Sequence, residues 1–147
     1  MTKKVVNPKF ANLKDYKKVL KTIEKTTKCP FCKENFKYHR KPIIKKQKGW
    51  FITENTWSYK NTRHHFVIIS EEHKEEFKEL NFSDFETVSK LANWIIKKYK
   101  INGGGILLRF GDSDYTGATV CHLHFHLIVP KINKRMMKAK TVYFPIG

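Results

Sequence analysis

Acidic side chains are scarce in this chain. Its 147 residues hold thirteen Asp and Glu against thirty Lys and Arg, a net charge of +17. Cysteine is scarcer, at three residues, so a dense disulfide framework is excluded. No uncharged apolar run approaches the roughly 20 residues of a spanning helix, so no membrane partner is expected. The first residues, MTKKVVNPKFANLKDYKK, lack the apolar centre of a signal peptide. These absences point to a reducing, cytoplasmic setting, where cysteines bind metal or do chemistry more often than they pair. Arginine is also rare, with four among the thirty basic residues. That argues against a dedicated nucleic-acid surface, which favours the planar guanidinium.

What is present suffices for a core. Hydrophobic residues make up 40% and aromatic residues 14%, which excludes disorder as the main state, and the length suits one domain. The positive charge is unevenly spread. Residues 1–28 carry a net +7, 29–60 a net +6 and 101–147 a net +4, while 61–100 are balanced. Such a field attracts polyanions, namely nucleotides with several phosphates or nucleic acid. A bias toward Lys for solubility accounts for it equally well.

Periodicity predicts an α+β domain with a mainly antiparallel sheet. Leu13, Tyr16, Val19, Leu20 and Ile23 mark one face of a helix over 12–27, with Asn12 as N-cap and Lys17, Lys18, Lys21 and Lys25 opposite. Residues 50–54 and 65–69 read as strands. Ser83 to Glu86 reads as a capping box opening a helix over 83–99. Strands are expected at 106–110, 119–129 and 141–145, with a basic loop over 131–140. The division expected is a basic helical extension, 1–28, followed by a domain over 29–147.

The chemistry concentrates in His122-Leu123-His124-Phe125-His126-Leu127. In one continuous strand the alternation puts three imidazoles on one face and Cys121, Leu123, Phe125, Leu127 and Val129 on the other. A histidine face must meet solvent, metal or ligand. A metal held by all three is geometrically poor, because the first and third lie about 7 Å apart along a strand. Separately, Cys29-Pro30-Phe31-Cys32 has the C-x2-C spacing of tetrahedral zinc, or of a redox dithiol. The dithiol reading wants a strand before the motif and a helix after it. A Lys-rich helix precedes it here, and the charged stretch Lys33 to Lys41 follows.

The 122–128 segment resembles the signature of the histidine-triad family. Arg63 to His73 is similar to that family's histidine-bounded strand block, Cys29 to Cys32 to the CxxC of its zinc-containing members, and Gly117 to Val120 to its phosphate-contacting turn. The end, Val142 to Gly147, resembles the dinucleoside-tetraphosphate phosphorylase, or ATP adenylyltransferase-like, branch. The resemblance covers about 29–147 and implies a histidine-triad-like sheet of about five strands with helices packed on one face. It implies a nucleotidyl hydrolase or transferase acting on dinucleoside polyphosphates or nucleotide phosphoramidates. His124 would attack the α-phosphate as nucleophile. His126 would serve catalysis and phosphate binding, with Arg109, Gly117 and Thr119 also at the phosphate. Cys29, Cys32, His73 and His122 would hold a structural zinc. Adenine nucleotides and a homodimer are implied as well. The alternatives are an aprataxin-like enzyme that removes adenylate from DNA or RNA ends, and a non-catalytic nucleotide- or RNA-binding module. The sequence departs from the pattern at Arg109, where many members carry Asn, and at Ala118, where many carry Gln. The loop over 111–116 is about two residues longer than usual. The remaining polar and aromatic residues have ordinary expectations: His39 at the surface, Cys121 in the core, His65 near the nucleotide pocket or structural, Trp50, Phe51 and Trp57 in an adenine pocket or the core.

Overall fold

Lys48 and Gly49 both take positive φ, 41° and 78°, between Gln47 and Trp50, which face each other across a two-residue turn. A turn with that backbone matches the right-handed twist of the strands it joins. It closes the first hairpin, β1 (Ile43–Gln47) with β2 (Trp50–Glu54). The computed structural model describes residues 3–147. β2 pairs with β3 (Thr62–Ser70), β3 with β5 (His124–Pro130), and β5 with β4 (Gly105–Leu108). All pairings are antiparallel and the order is β1-β2-β3-β5-β4. The five-stranded antiparallel α+β architecture expected from the sequence is therefore present.

Strand alternation divides the core. Trp50, Ile52, Phe66, Ile68, Phe125, Leu127 and Val129 meet Val88, Leu91, Ala92 and Ile95 of α2 (Phe82–Lys98) in the main cluster. Phe51, Val67 and Ile69 form a separate cluster with Phe31 and Phe36. The N-terminal helix α1 (Lys14–Thr26) buries Leu20 and Ile23 against Val6 and Val120. The Val6–Val120 bridge ties the start of the chain to the segment before β5.

Four local expectations are corrected. α1 begins at Lys14, with Leu13 rather than Asn12 at its N-cap and no side-chain cap bond. α2 begins at Phe82, and its capping box is Asn81 with Asp84 rather than Ser83 with Glu86. The reason is tertiary: Asp84 also accepts from Trp50 Nε1 at 2.8 Å and from Lys74 Nζ at 3.0 Å, fixing that turn on the sheet. Residues 141–145 form no strand, while the basic stretch forms a short hairpin, β6 (Ile132–Asn133) with β7 (Lys138–Ala139). Finally, the strand bearing the histidines begins at His124, not Thr119. Upstream of it, backbone amides bond elsewhere: Cys121 N–H to Val5 O at 2.9 Å and Leu123 N–H to Lys74 O at 2.7 Å.

Candidate active site

That late strand start separates the three histidines. His124 and His126 share a strand face, their ring centroids 4.7 Å apart. His122 turns away and is buried beside the two N-terminal cysteines. The single histidine face expected over 122–126 is thus split between two sites.

The first site is a cluster of Cys29, Cys32, His73 and His122, whose donor atoms all lie within 4.8 Å of one another. His122 Nδ1 is 3.3 Å from Cys29 Sγ and 3.2 Å from His73 Nδ1, and His73 Nδ1 is 3.5 Å from Cys32 Sγ. The outer nitrogens fix the tautomers. His122 Nε2–H donates to the Ser70 carbonyl at 2.7 Å, and His73 Nε2–H donates to Glu75 Oε1 at 2.8 Å. Both Nδ1 lone pairs then converge with no proton between them, an arrangement that a cation resolves. Histidines held from behind by a carbonyl and a carboxylate are the usual second layer of a zinc site. The Cys2His2 donor set fits tetrahedral zinc. Without a cation, burial pushes the Cys29 thiol up to about 12 and His122 down to about 4.

The second site is a cavity of 270 Å³. His124, His126, Arg109, Gly117 and Thr119 all line it, together with Tyr16, Trp57 and Tyr59. No Asp or Glu borders it, while Arg109 and Lys60 do, which suits an anion. A larger hollow of 640 Å³, bordered by the β6–β7 hairpin, contains none of the histidines of the triad.

His124 Nδ1–H donates to the backbone carbonyl of His122 at 2.6 Å. That leaves Nε2 as the unprotonated nitrogen. Burial pushes the His124 imidazole down to about 4, helped by the Arg109 charge, so it is neutral near pH 7. This carbonyl was invisible in the sequence, because any residue offers one.

His126 has a different tautomer, set by His65. The Tyr59 backbone N–H donates to His65 Nδ1 at 3.3 Å, so the neutral His65 carries its proton on Nε2. Nε2–H donates to His126 Nδ1 at 2.9 Å, and His126 in turn carries its proton on Nε2. Asn55 Nδ2 also lies 3.2 Å from His65 Nε2, but its amide is held through Oδ1 by the Trp57 N–H, and the Tyr59 backbone N–H, which can only donate, decides the tautomer. Burial holds His65 at about 4 and His126 well below its ordinary value, so the pair remains neutral. The site therefore presents one bare nitrogen and one N–H side by side.

Arg109 lies 4.2 Å above the Phe144 ring and donates to Tyr59 Oη, with a long 3.5 Å contact to the Gly117 carbonyl. Its Nε is buried without a partner, and none of the salt bridges among the described residues involves it. Gly117 caps α3 (Ser113–Thr116) at φ 67°, a conformation that favours glycine.

Comparison with solved structures settles the architecture. The chain superimposes on a hypothetical protein from Leishmania major with a TM-score of 0.58 at 20% identity, covering 83% of this chain and 85% of that one. A histidine triad protein from Clostridium difficile matches with a TM-score of 0.55 at 18% identity, over 79% and 96% of the two chains. The fold is that of the histidine-triad proteins. A diadenosine triphosphate hydrolase from Plasmodium falciparum, solved with cyclomarin A, shares it with a TM-score of 0.52 at 19% identity, over 66% of this chain and 65% of that one. No family model matches the sequence, and no curated protein does.

His39 is not a free surface residue: it bonds Thr53 Oγ1 through Nε2 at 2.8 Å and lines the cavity. Trp50 and Phe51 are core residues, and Trp57 is the member of that set that borders the cavity. Cys121 is only half-buried and joins no core cluster. Among the described residues no helix is long and apolar enough to cross a membrane.

Proposed function

We propose that this protein is a nucleotidyl hydrolase or transferase that works through a covalent nucleotidyl-histidine on His124. One observation carries the reading: His124 Nδ1–H is committed to the His122 carbonyl, so a neutral imidazole keeps a bare Nε2 at an acid-free, cationic cavity. A neutral imidazole is a competent nucleophile at neutral pH.

His124 Nε2 attacks the α-phosphorus, forming an N–P bond as the bond to the leaving group breaks. His126 Nε2–H donates a hydrogen bond to the leaving oxygen or nitrogen and offsets the charge that develops on it, the leaving group taking its proton from solvent. Water or another acceptor then attacks the same phosphorus, gives its proton to solvent, and releases His124 as the N–P bond breaks. The Arg109 charge offsets the phosphate charge, and Thr119 Oγ1 and the Gly117 turn adjoin it. Catalysis of this type rests on positioning and charge stabilisation. Cys29, Cys32, His73 and His122 would hold a zinc, which would supply a cross-link and take no part in the phosphoryl chemistry; His122 held there carries the carbonyl that orients His124. The substrates that fit are dinucleoside polyphosphates and nucleotide phosphoramidates, with adenine as the base. A homodimer, cytoplasmic location and the basic extension over 1–28 belong to the same reading.

The test is turnover of a panel of both substrate types by the wild type and by His124→Ala. The account expects turnover that His124→Ala abolishes while nucleotide affinity remains. No turnover of any member by folded, metal-loaded protein refutes it.

A further inference from the structure

We infer that Tyr16, on the N-terminal helix, is a substrate-positioning residue of this cavity, presenting with Thr119 one shared hydroxyl proton to the bound phosphate; this rests on the nucleotidyl reading above. The helix is part of the wall: Tyr16, Val19, Leu20 and Ile23 all line the cavity. Its placement is fixed by packing, since Leu20 and Ile23 are 1% and 2% exposed and the Val6–Val120 bridge ties the segment before the helix to the residue after Thr119.

Tyr16 Oη lies 2.7 Å from Thr119 Oγ1. Each hydroxyl carries one proton, and their mutual bond uses one of the two. The other proton is left for a third partner, and among the described residues neither hydroxyl has a further hydrogen bond. The Tyr16 ring is held in place by Trp57, stacked at 5.1 Å and 24°. Trp57 is itself fixed, its backbone N–H donating to Asn55 Oδ1 at 2.8 Å. Burial pushes the phenol up to about 12, so it stays a donor through the working pH range. The third partner must be an acceptor, and the Arg109 guanidinium on the same cavity wall, in no salt bridge among the described residues, makes an anionic one the best fit. The α1 residues wall one side of the 270 Å³ cavity.

The test uses Tyr16→Phe, which keeps the ring and its stack, and Thr119→Val, which keeps the branched shape. AMP affinity is measured by titration, and KM and kcat on a dinucleoside polyphosphate. Each single variant leaves the other hydroxyl free to turn its own proton to the phosphate, so Tyr16→Phe or Thr119→Val alone is expected to weaken AMP only a little. The double variant offers no proton and is expected to weaken AMP about tenfold and raise KM similarly with kcat little changed, the loss of one hydrogen bond to a charged group. Tyr16→Phe combined with Thr119→Ser should keep most of the affinity, since one hydroxyl remains. A folded double variant with unchanged AMP affinity and KM overturns the inference, as does one no weaker than Thr119→Val alone, since Tyr16 would then supply nothing. If AMP binds and wild-type turnover is normal, that failure leaves the nucleotidyl reading standing. If the wild type neither binds AMP nor turns over any nucleotide, both fall.

Discussion

Stripping the Cys2His2 cluster of metal should cost this domain a large part of its stability. Four donors from three separate segments converge within 4.8 Å, two of them Nδ1 lone pairs only 3.2 Å apart. With the metal gone, the two Nδ1 atoms are left to the cysteine thiols, Cys29 Sγ 3.3 Å from His122 and Cys32 Sγ 3.5 Å from His73, and burial opposes charge on His122. The Cys29 thiol, pushed up to about 12, then becomes neutral. The cross-link between the Cys29–Cys32 segment, the His73 loop and the entry to β5 is lost. Ligand that binds only the folded state stabilises it by about 4 kcal/mol at a thousandfold excess over its dissociation constant. For a domain of this size that is roughly 10–15 °C in Tm. The assay is thermal unfolding with and without a strong chelator, with zinc measured on the same samples. Cys29→Ser should show the same loss and no further response to chelator. Zinc removal confirmed by metal analysis, with a Tm shift under about 2 °C, refutes the cross-link.

Two other outcomes follow from the histidine chain. His65→Phe removes the bond that sets the His126 tautomer, so turnover should fall on the order of 10²-fold, the contribution of a positioned hydrogen-bond donor to developing charge; a rate within twofold of wild type on a substrate with a poor leaving group would show that His126 needs no such help. The second is acid sensitivity. The unfolded chain protonates His65 near pH 6.5 while the folded protein resists until about pH 4, so this stabilisation is complete above pH 6.5 and is lost as the pH falls toward 4. Between pH 7.5 and 4.5 the wild type should lose about 2–3 kcal/mol more than His65→Gln in denaturant unfolding of chelated protein, and equal losses would count against a neutral buried His65.

The sheet was legible because its strands carry the period-two pattern of a half-buried surface, and Trp50 to Glu54 and His65 to Ile69 fall inside observed strands. α1 and α2 were legible from their apolar stripes, but their starts were not. The choice between two overlapping capping boxes at α2 is made by Trp50 and Lys74, which reach Asp84 from distant parts of the chain. The CxxC and the four cluster residues could be named from spacing and resemblance, and the structure brings those four together. The placement of His122 was not legible as geometry, because alternation continued through residues whose backbone partners are Val5 and Lys74 rather than a neighbouring strand. The His122 carbonyl carries no side-chain signature. The part of Tyr16 in the cavity wall was hidden for a different reason: its helical spacing marks it as an ordinary core-facing residue, and only the fold puts it against Thr119.

The central claim is that a single ring nitrogen, His124 Nε2, carries the nucleotidyl group. The direct measurement is a rapid-quench experiment with a dinucleoside polyphosphate, stopped in base because the N–P bond is labile to acid, followed by mass spectrometry of the intact chain and its peptides. The account predicts one nucleotidyl group per chain within the first turnover, on the peptide containing His122 to His126, and none in His124→Ala. An adduct on a lysine or on any other histidine, or steady turnover by His124→Ala, contradicts it.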